Sequence, residues 1–124
     1  MRQDYLPLFQ ALKQALFRLG ASVRKESELS AEFSLVTGWL LRFECERYYG
    51  PSFSITVGPD ENGPWYTVWI LMKAFENLTG FDYGRPTIEN QALFLERELD
   101  RLTSSPEFYE IEYGRLNEIE GPSA

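Results

Sequence analysis

Glu44 and Glu46 flank the chain's one cysteine, Cys45, in the run WLLRFECERYYGPSF (39–53). If the run is a strand, residues i and i+2 share a face, so the two carboxylates stand ~6.5–7 Å apart beside Arg42. That separation overlaps the range between the paired acids of glycoside hydrolases. Such a pair works across a cleft with acids drawn from different elements, whereas these two come from one strand. Cys45 points the other way, with Trp39, Leu41 and Phe43, and reads as a small buried hydrophobe. A reactive thiol needs an electropositive setting, and the sequence neighbours here are acids, which raise a thiol's pKa. Asp60, Glu61 and Asn62 offer oxygens for a hard cation but lack the twelve-residue spacing and closing glutamate of an EF-hand. They read as a turn. The glycines of GPDENG and YYGP match neither a P-loop nor a GxGxxG pattern. No residue is assigned a catalytic or metal-binding role on these grounds, and no cofactor is expected.

The chain has no histidine. That removes the usual proton shuttle at neutral pH, Ser-His and Cys-His nucleophile pairs, and most zinc, copper and non-haem iron sites. One cysteine excludes an internal disulfide. Catalysis would fall to carboxylates, Tyr, Ser or Thr, one of Lys13, Lys25 and Lys73, or an oxygen-ligated metal. The net charge of −7 is uneven: residues 87–121 carry nine acids against three arginines, residues 1–86 ten acids against nine bases. A basic nucleic-acid footprint is absent. The acidic C-terminal part reads first as a solvated helical surface, and second as a face that speeds encounter with a basic partner. No run approaches the roughly 18–20 apolar residues of a membrane span. The first twenty residues, broken by Arg2, Asp4, Lys13 and Arg18, resemble neither a secretory signal nor a transit peptide. A cytoplasmic protein, without membrane contact, is expected.

The elements that must position these residues follow from periodicity. Tyr5, Phe9, Leu12, Leu16 and Leu19 form one stripe of a helix over 4–19, with Asp4 as N-cap, Pro7 in the first turn and Gly20 after its end. SVRKES (22–27) reads as a polar edge strand. From Phe33 to Cys45 the apolar residues keep one parity, too long for one strand, so Thr37-Gly38 is either a turn or a bulge. The turn is favoured, giving strands near 32–36 and 39–47, with another at 52–57 and a loop at 58–64. Trp65-Tyr66 leads into a helix over 67–78, where Val68, Leu71, Met72, Phe75 and Leu78 make the stripe. Thr67 caps it and Gly80 closes it. Trp69 and Ile70 widen its apolar arc, which a homo-oligomer could bury. Thr87 caps a helix over 88–103, lined by Ile88, Ala92, Leu95, Leu99 and Leu102. A last helix runs from Ser105-Pro106 to about 119, with Phe108, Tyr109, Glu112, Leu116 and Ile119 as its stripe. One domain over 1–121 with a flexible tail at 122–124 is expected. Its class is α+β: an N-terminal helix, an antiparallel meander of three to four strands over about 22–57, and two to three C-terminal helices on one sheet face.

Tyr48, Tyr49, Trp65, Tyr66, Trp69, Phe81 and Tyr83 flank the loops of this plan. Most should cover a small core, while a subset such as Tyr48, Tyr49 and Trp65 suits a protein contact. The order of WLLRFECERYYGPSFSITV, WYTVWILMKAF and FLERELDRL behind an N-terminal helix resembles small uncharacterised bacterial domains, some of which accompany polymorphic toxins as immunity proteins. The likeness is one of plan over residues 1–103, without a diagnostic motif, and carries over no functional residue. It implies a non-enzymatic module that occludes a protein partner, such as a basic toxin. The residues expected to do so are Arg42, Glu44, Glu46, Tyr48, Tyr49 and Trp65. The alternative is an enzyme using a carboxylate or an oxygen-ligated metal at that face.

Overall fold

The computed structural model describes residues 1–48 and 52–120. A 3-10 turn at Gln3–Tyr5 leads into helix α1 (Leu6–Arg18). Strands β1 (Ser22–Glu26), β2 (Ser30–Ser34), β3 (Leu40–Cys45), β4 (Phe53–Gly58) and β5 (Tyr66–Thr67) follow, then helices α2 (Val68–Thr79), α3 (Ile88–Ser104) and α4 (Glu107–Glu120). The strands pair in chain order, each antiparallel to the next. This is the α+β arrangement that the periodicities predict, with three helices after the meander. The meander has five strands rather than three or four. Tyr66 and Thr67, expected as a lead-in and a cap, pair with Val57 and Thr56 before the helix begins. Among the described residues, no helix is long and apolar enough to cross a membrane. Tyr49 and the tail 122–124 lie outside the described residues.

Thr37-Gly38 belongs to a turn. The Gly38 N–H donates to the Leu35 carbonyl at 2.9 Å, and the Leu35 N–H donates to the Trp39 carbonyl at 2.8 Å. Gly38 sits at φ 93°, the left-handed residue that ends a three-residue hairpin loop and costs a glycine nothing sterically. An odd loop keeps opposed residues at one parity. That is why the apolar run passes unbroken through the turn: Phe33 faces Leu41 and Ala31 faces Phe43. Because the loop starts after Leu35, β2 ends at Ser34 and lies two residues earlier than expected.

The inward parity of the sheet (Phe33, Leu41, Phe43, Ile55, Val57) has no solvent exposure. Phe9 of α1 lies against both Phe33 and Phe43, with ring centroids 6.1 and 6.3 Å apart. One hydrophobic cluster joins these residues to all four helices. The α3 stripe is as expected: Thr87 accepts from the Asn90 N–H at 3.0 Å, and Ile88, Ala92, Leu95, Leu99 and Leu102 are buried. Other details differ. Asp4 does not cap α1; its carboxylate is held by Arg2 at 2.7 and 2.8 Å. Thr67 makes no side-chain cap bond. Phe75 is half-buried and Leu78 is exposed, because α2 rotates Ile70 and Ala74 into the core. The buried face of α4 is Tyr109, Tyr113 and Leu116, spaced i, i+4, i+7, which leaves Phe108 and Ile119 outside. The Tyr113 hydroxyl accepts from the Thr67 N–H at 2.7 Å, tying α4 to the start of α2.

The acidic C-terminal helices are not uniformly solvated. Glu98 is buried, accepts a hydrogen bond from the Tyr109 hydroxyl at 2.5 Å and lies 3.5 Å from Arg101. Burial, and then the bond to Glu98, pushes the Tyr109 phenol up from its ordinary value. Glu112 joins α4 to α2: Arg115 and then Asn77 hold its carboxyl down at about 2.

Candidate functional site at the outer sheet face

Even-numbered residues of β2, β3 and β4 point away from the helices. Glu32, Arg42 and Thr56 form one cross-strand row, which Thr67 extends on β5. A bulge at Arg24 breaks the β1 register between Val23 and Lys25, so Lys25 also pairs with Glu32. A regular ladder would have set Lys25 opposite Ala31, on the core side. The bulge instead brings two bases to one acid. Arg24 donates to Glu32 at 2.8 Å and Arg42 donates to its other oxygen at 3.1 Å, while Arg24 also reaches Glu61 at 3.2 Å. Glu32 is only 5% exposed. A buried carboxylate is sustained by partners of this kind.

Arg42 has a second engagement. Its guanidinium carbon stands 4.0 Å from the centroid of the Trp65 ring, within cation–π range. Trp65 lies flat on the sheet because Gly58 beneath it has no side chain. A Cβ at Gly58 would sit 3.0 Å from the Trp65 ring and 2.9 Å from the Pro64 carbonyl. The loop before it is the turn expected at Asp60-Glu61-Asn62, with the Asn62 N–H donating to the Asp60 carboxylate at 2.8 Å. Arg42 and Trp65, predicted from sequence as partner-facing, are therefore brought together but engage one another.

Glu44, Glu46 and Tyr48 lie at the far end of β3 and just beyond it. Both glutamates are exposed, and neither side chain makes an ion pair among the described residues. They share one hollow of about 390 Å³ whose other walls are Cys45, Ser52, Phe53 and Ser54; Glu44 also borders a second of about 390 Å³ with Glu26 and Glu32, where Lys25 and Arg42 stand among the acids. Tyr48 is 82% exposed. This end of the hairpin is held from behind: the buried Tyr5 hydroxyl donates to the Glu46 carbonyl at 2.6 Å and accepts from the Ser52 N–H at 3.1 Å. Tyr49 lies outside the described residues. Among the described residues, no three His, Cys, Asp or Glu side chains are grouped to hold a metal ion.

Cys45 takes the inward parity but reaches only half-burial, opposite Phe53 at the sheet's end. Burial, and then the charge of Asp4, pushes its thiol up to about 11. At pH 8 its alkylation by iodoacetamide is expected to run roughly a hundredfold slower than that of a free thiol of pKa ≈ 8.5. The rate should keep climbing towards pH 11; a plateau below pH 9 would contradict the inert assignment.

Sequence reasoning missed Glu32, Arg24, Glu61 and Gly58. The alternation places Glu32 on the outer face, but the β1–β2 register that sets Arg24 beside it leaves no mark in SVRKE. Compared with protein-family models, with curated proteins and with solved structures, the chain matches none.

Proposed function

We propose that this chain is a non-enzymatic protein-binding module whose contact surface is the exposed end of the β3–β4 hairpin and the adjoining outer sheet face. Its concrete form is immunity-type occlusion of a basic protein partner such as a toxin. The observation that carries the reading is Tyr48, an aromatic side chain standing almost fully in solvent beside two exposed acids, Glu44 and Glu46, that make no ion pair among the described residues. Two residues before it, the Glu46 carbonyl is held by the Tyr5 hydroxyl, which also holds the Ser52 N–H; backbone fixed in advance loses less entropy on contact. An exposed aromatic with neighbouring charge suits an interface anchor with a steering rim. Arg42 and Trp65 support that face from within.

The test is calorimetric titration with the protein encoded by the adjacent gene. The expected result is binding below micromolar Kd. Tyr48→Ala should weaken it by about 2 kcal/mol or more, with no loss of thermal stability because the side chain touches little of its own fold. Unchanged affinity in Tyr48→Ala would remove this surface from the reading. No binding at micromolar concentration would remove the immunity version altogether.

A further inference from the structure

The second large feature is a cleft of about 800 Å³ on the other side of β4. One wall is the start of β4, Ser52 to Ser54. The opposite wall is one face of α2, with Trp69, Met72 and Glu76 spaced i, i+3 and i+7, and the segment 82–86 with Gln91 completes it. Two features of this cleft are unfinished.

The first is the sheet edge. The Glu46 N–H donates to the Ser52 carbonyl at 2.9 Å, so Ser52 turns its backbone groups towards β3. Alternation along an antiparallel ladder then turns the N–H and C=O of Phe53 to the opposite side. There, among the described residues, β5 pairs only with Thr56 and Val57, which leaves the beginning of β4 as an open edge along the cleft. The second is Gln91. It is only 2% exposed, and its Nε2 donates to the Pro86 carbonyl at 2.8 Å. Its Oε1 is buried and has no hydrogen-bond partner among the described residues. Turning the amide over would set oxygen against the Pro86 carbonyl, so this orientation is the one the site imposes. An unmatched buried acceptor is costly, and an N–H donor that reached it through a small shift of the cleft wall would relieve it.

We infer that this cleft takes an extended segment of another polypeptide, added as a short antiparallel or parallel strand to the free edge of β4, with an apolar side chain seated between Phe53, Trp69 and Met72. Strand addition beside a helix supplies affinity through main-chain hydrogen bonds and specificity through alternate side chains. The free edge accommodates about four residues. The inference deepens the protein-binding reading and rests on it, but it uses a different surface from Tyr48.

The probe is a phage-displayed library of random nine-residue peptides panned against the intact chain, with the most enriched sequence resynthesised. The enriched peptides should carry apolar residues at alternate positions. The synthetic peptide should shift the amide resonance of Phe53 more than those of Glu44 and Tyr48. N-methylation along the peptide should weaken binding with period two, and Trp69→Ala should weaken it by about tenfold or more. The N-methyl scan uses the unaltered protein, so it stands even if Trp69→Ala folds poorly. No enrichment, no period-two dependence, or shifts centred on Tyr48 would each overturn the cleft. If the adjacent-gene product still binds through Tyr48 in that case, the protein-binding reading survives; if it too fails to bind, both fall.

Discussion

Replacing Glu32 with alanine is expected to cost about 2–4 kcal/mol of stability, somewhat under the roughly 3–5 kcal/mol for breaking a fully buried pair from one side. The value sits low because the side chains of Arg24 and Arg42 remain 34% and 36% exposed and keep part of their hydration. The loss comes from what is left behind: two guanidiniums and Lys25, with the exposed Glu61, 3.2 Å from Arg24, as the acid that stays bonded to the group. Two consequences separate this from simple loss of packing. Added salt should recover part of the stability by screening the repulsion. Arg24→Met should cost less in the Glu32→Ala background than in the parent, the coupling that a double-mutant cycle measures. Urea denaturation of the four proteins checks both. A Glu32→Ala protein within about 0.5 kcal/mol of the parent would show that the cluster is ornamental.

Phe43→Ala is expected to cost still more, about 3–5 kcal/mol. Phe43 has no exposure and lies between Phe9 of α1 and Phe53 of β4, with centroids 6.3 and 5.5 Å away. These neighbours belong to a helix and a paired strand, so they cannot close over the space left by the ring. Cys45→Ala, two residues along the same strand, should cost under about 1 kcal/mol, since the thiol is half-buried and small. The contrast in urea midpoints tests whether the inward parity of β3 is graded from the sheet's centre to its end. Equal losses at both positions would contradict the graded packing.

Periodicity carried the reading of the fold where one face of an element is buried throughout. The α3 stripe and its Thr87 cap were legible, as were the inward residues of β3 and β4. What periodicity does not contain is a contact made by an element's other side. Glu98 belongs to a helix face that counts as acidic surface in the sequence, and only the arrival of Tyr109 makes it a buried acceptor. The face of α4 was misjudged because Tyr113 can be read as polar or apolar; in the fold it is both, with its ring against Tyr66 and its hydroxyl on Thr67. At the candidate site, alternation put Arg42 on the polar sheet face and Trp65 was expected as a partner-facing aromatic; their stacking on one another depends on a missing Cβ at Gly58. Glu44 and Glu46 were expected as a pair on one strand, and the structure keeps them exposed on neighbouring positions at its end.

The Tyr5 hydroxyl has a consequence for the order of assembly. Every strand of the sheet pairs with its neighbour in sequence, so the meander demands only short loop closures. The bonds from Tyr5 to Glu46 and Ser52, by contrast, span more than forty residues and need the segment before α1 already docked. The Ser52 amide is thus a reporter of that docking. In native-state hydrogen exchange it should open together with α1, and ahead of the ladder residues of β3 and β4, because its acceptor leaves with the N-terminal segment while theirs stay in the sheet.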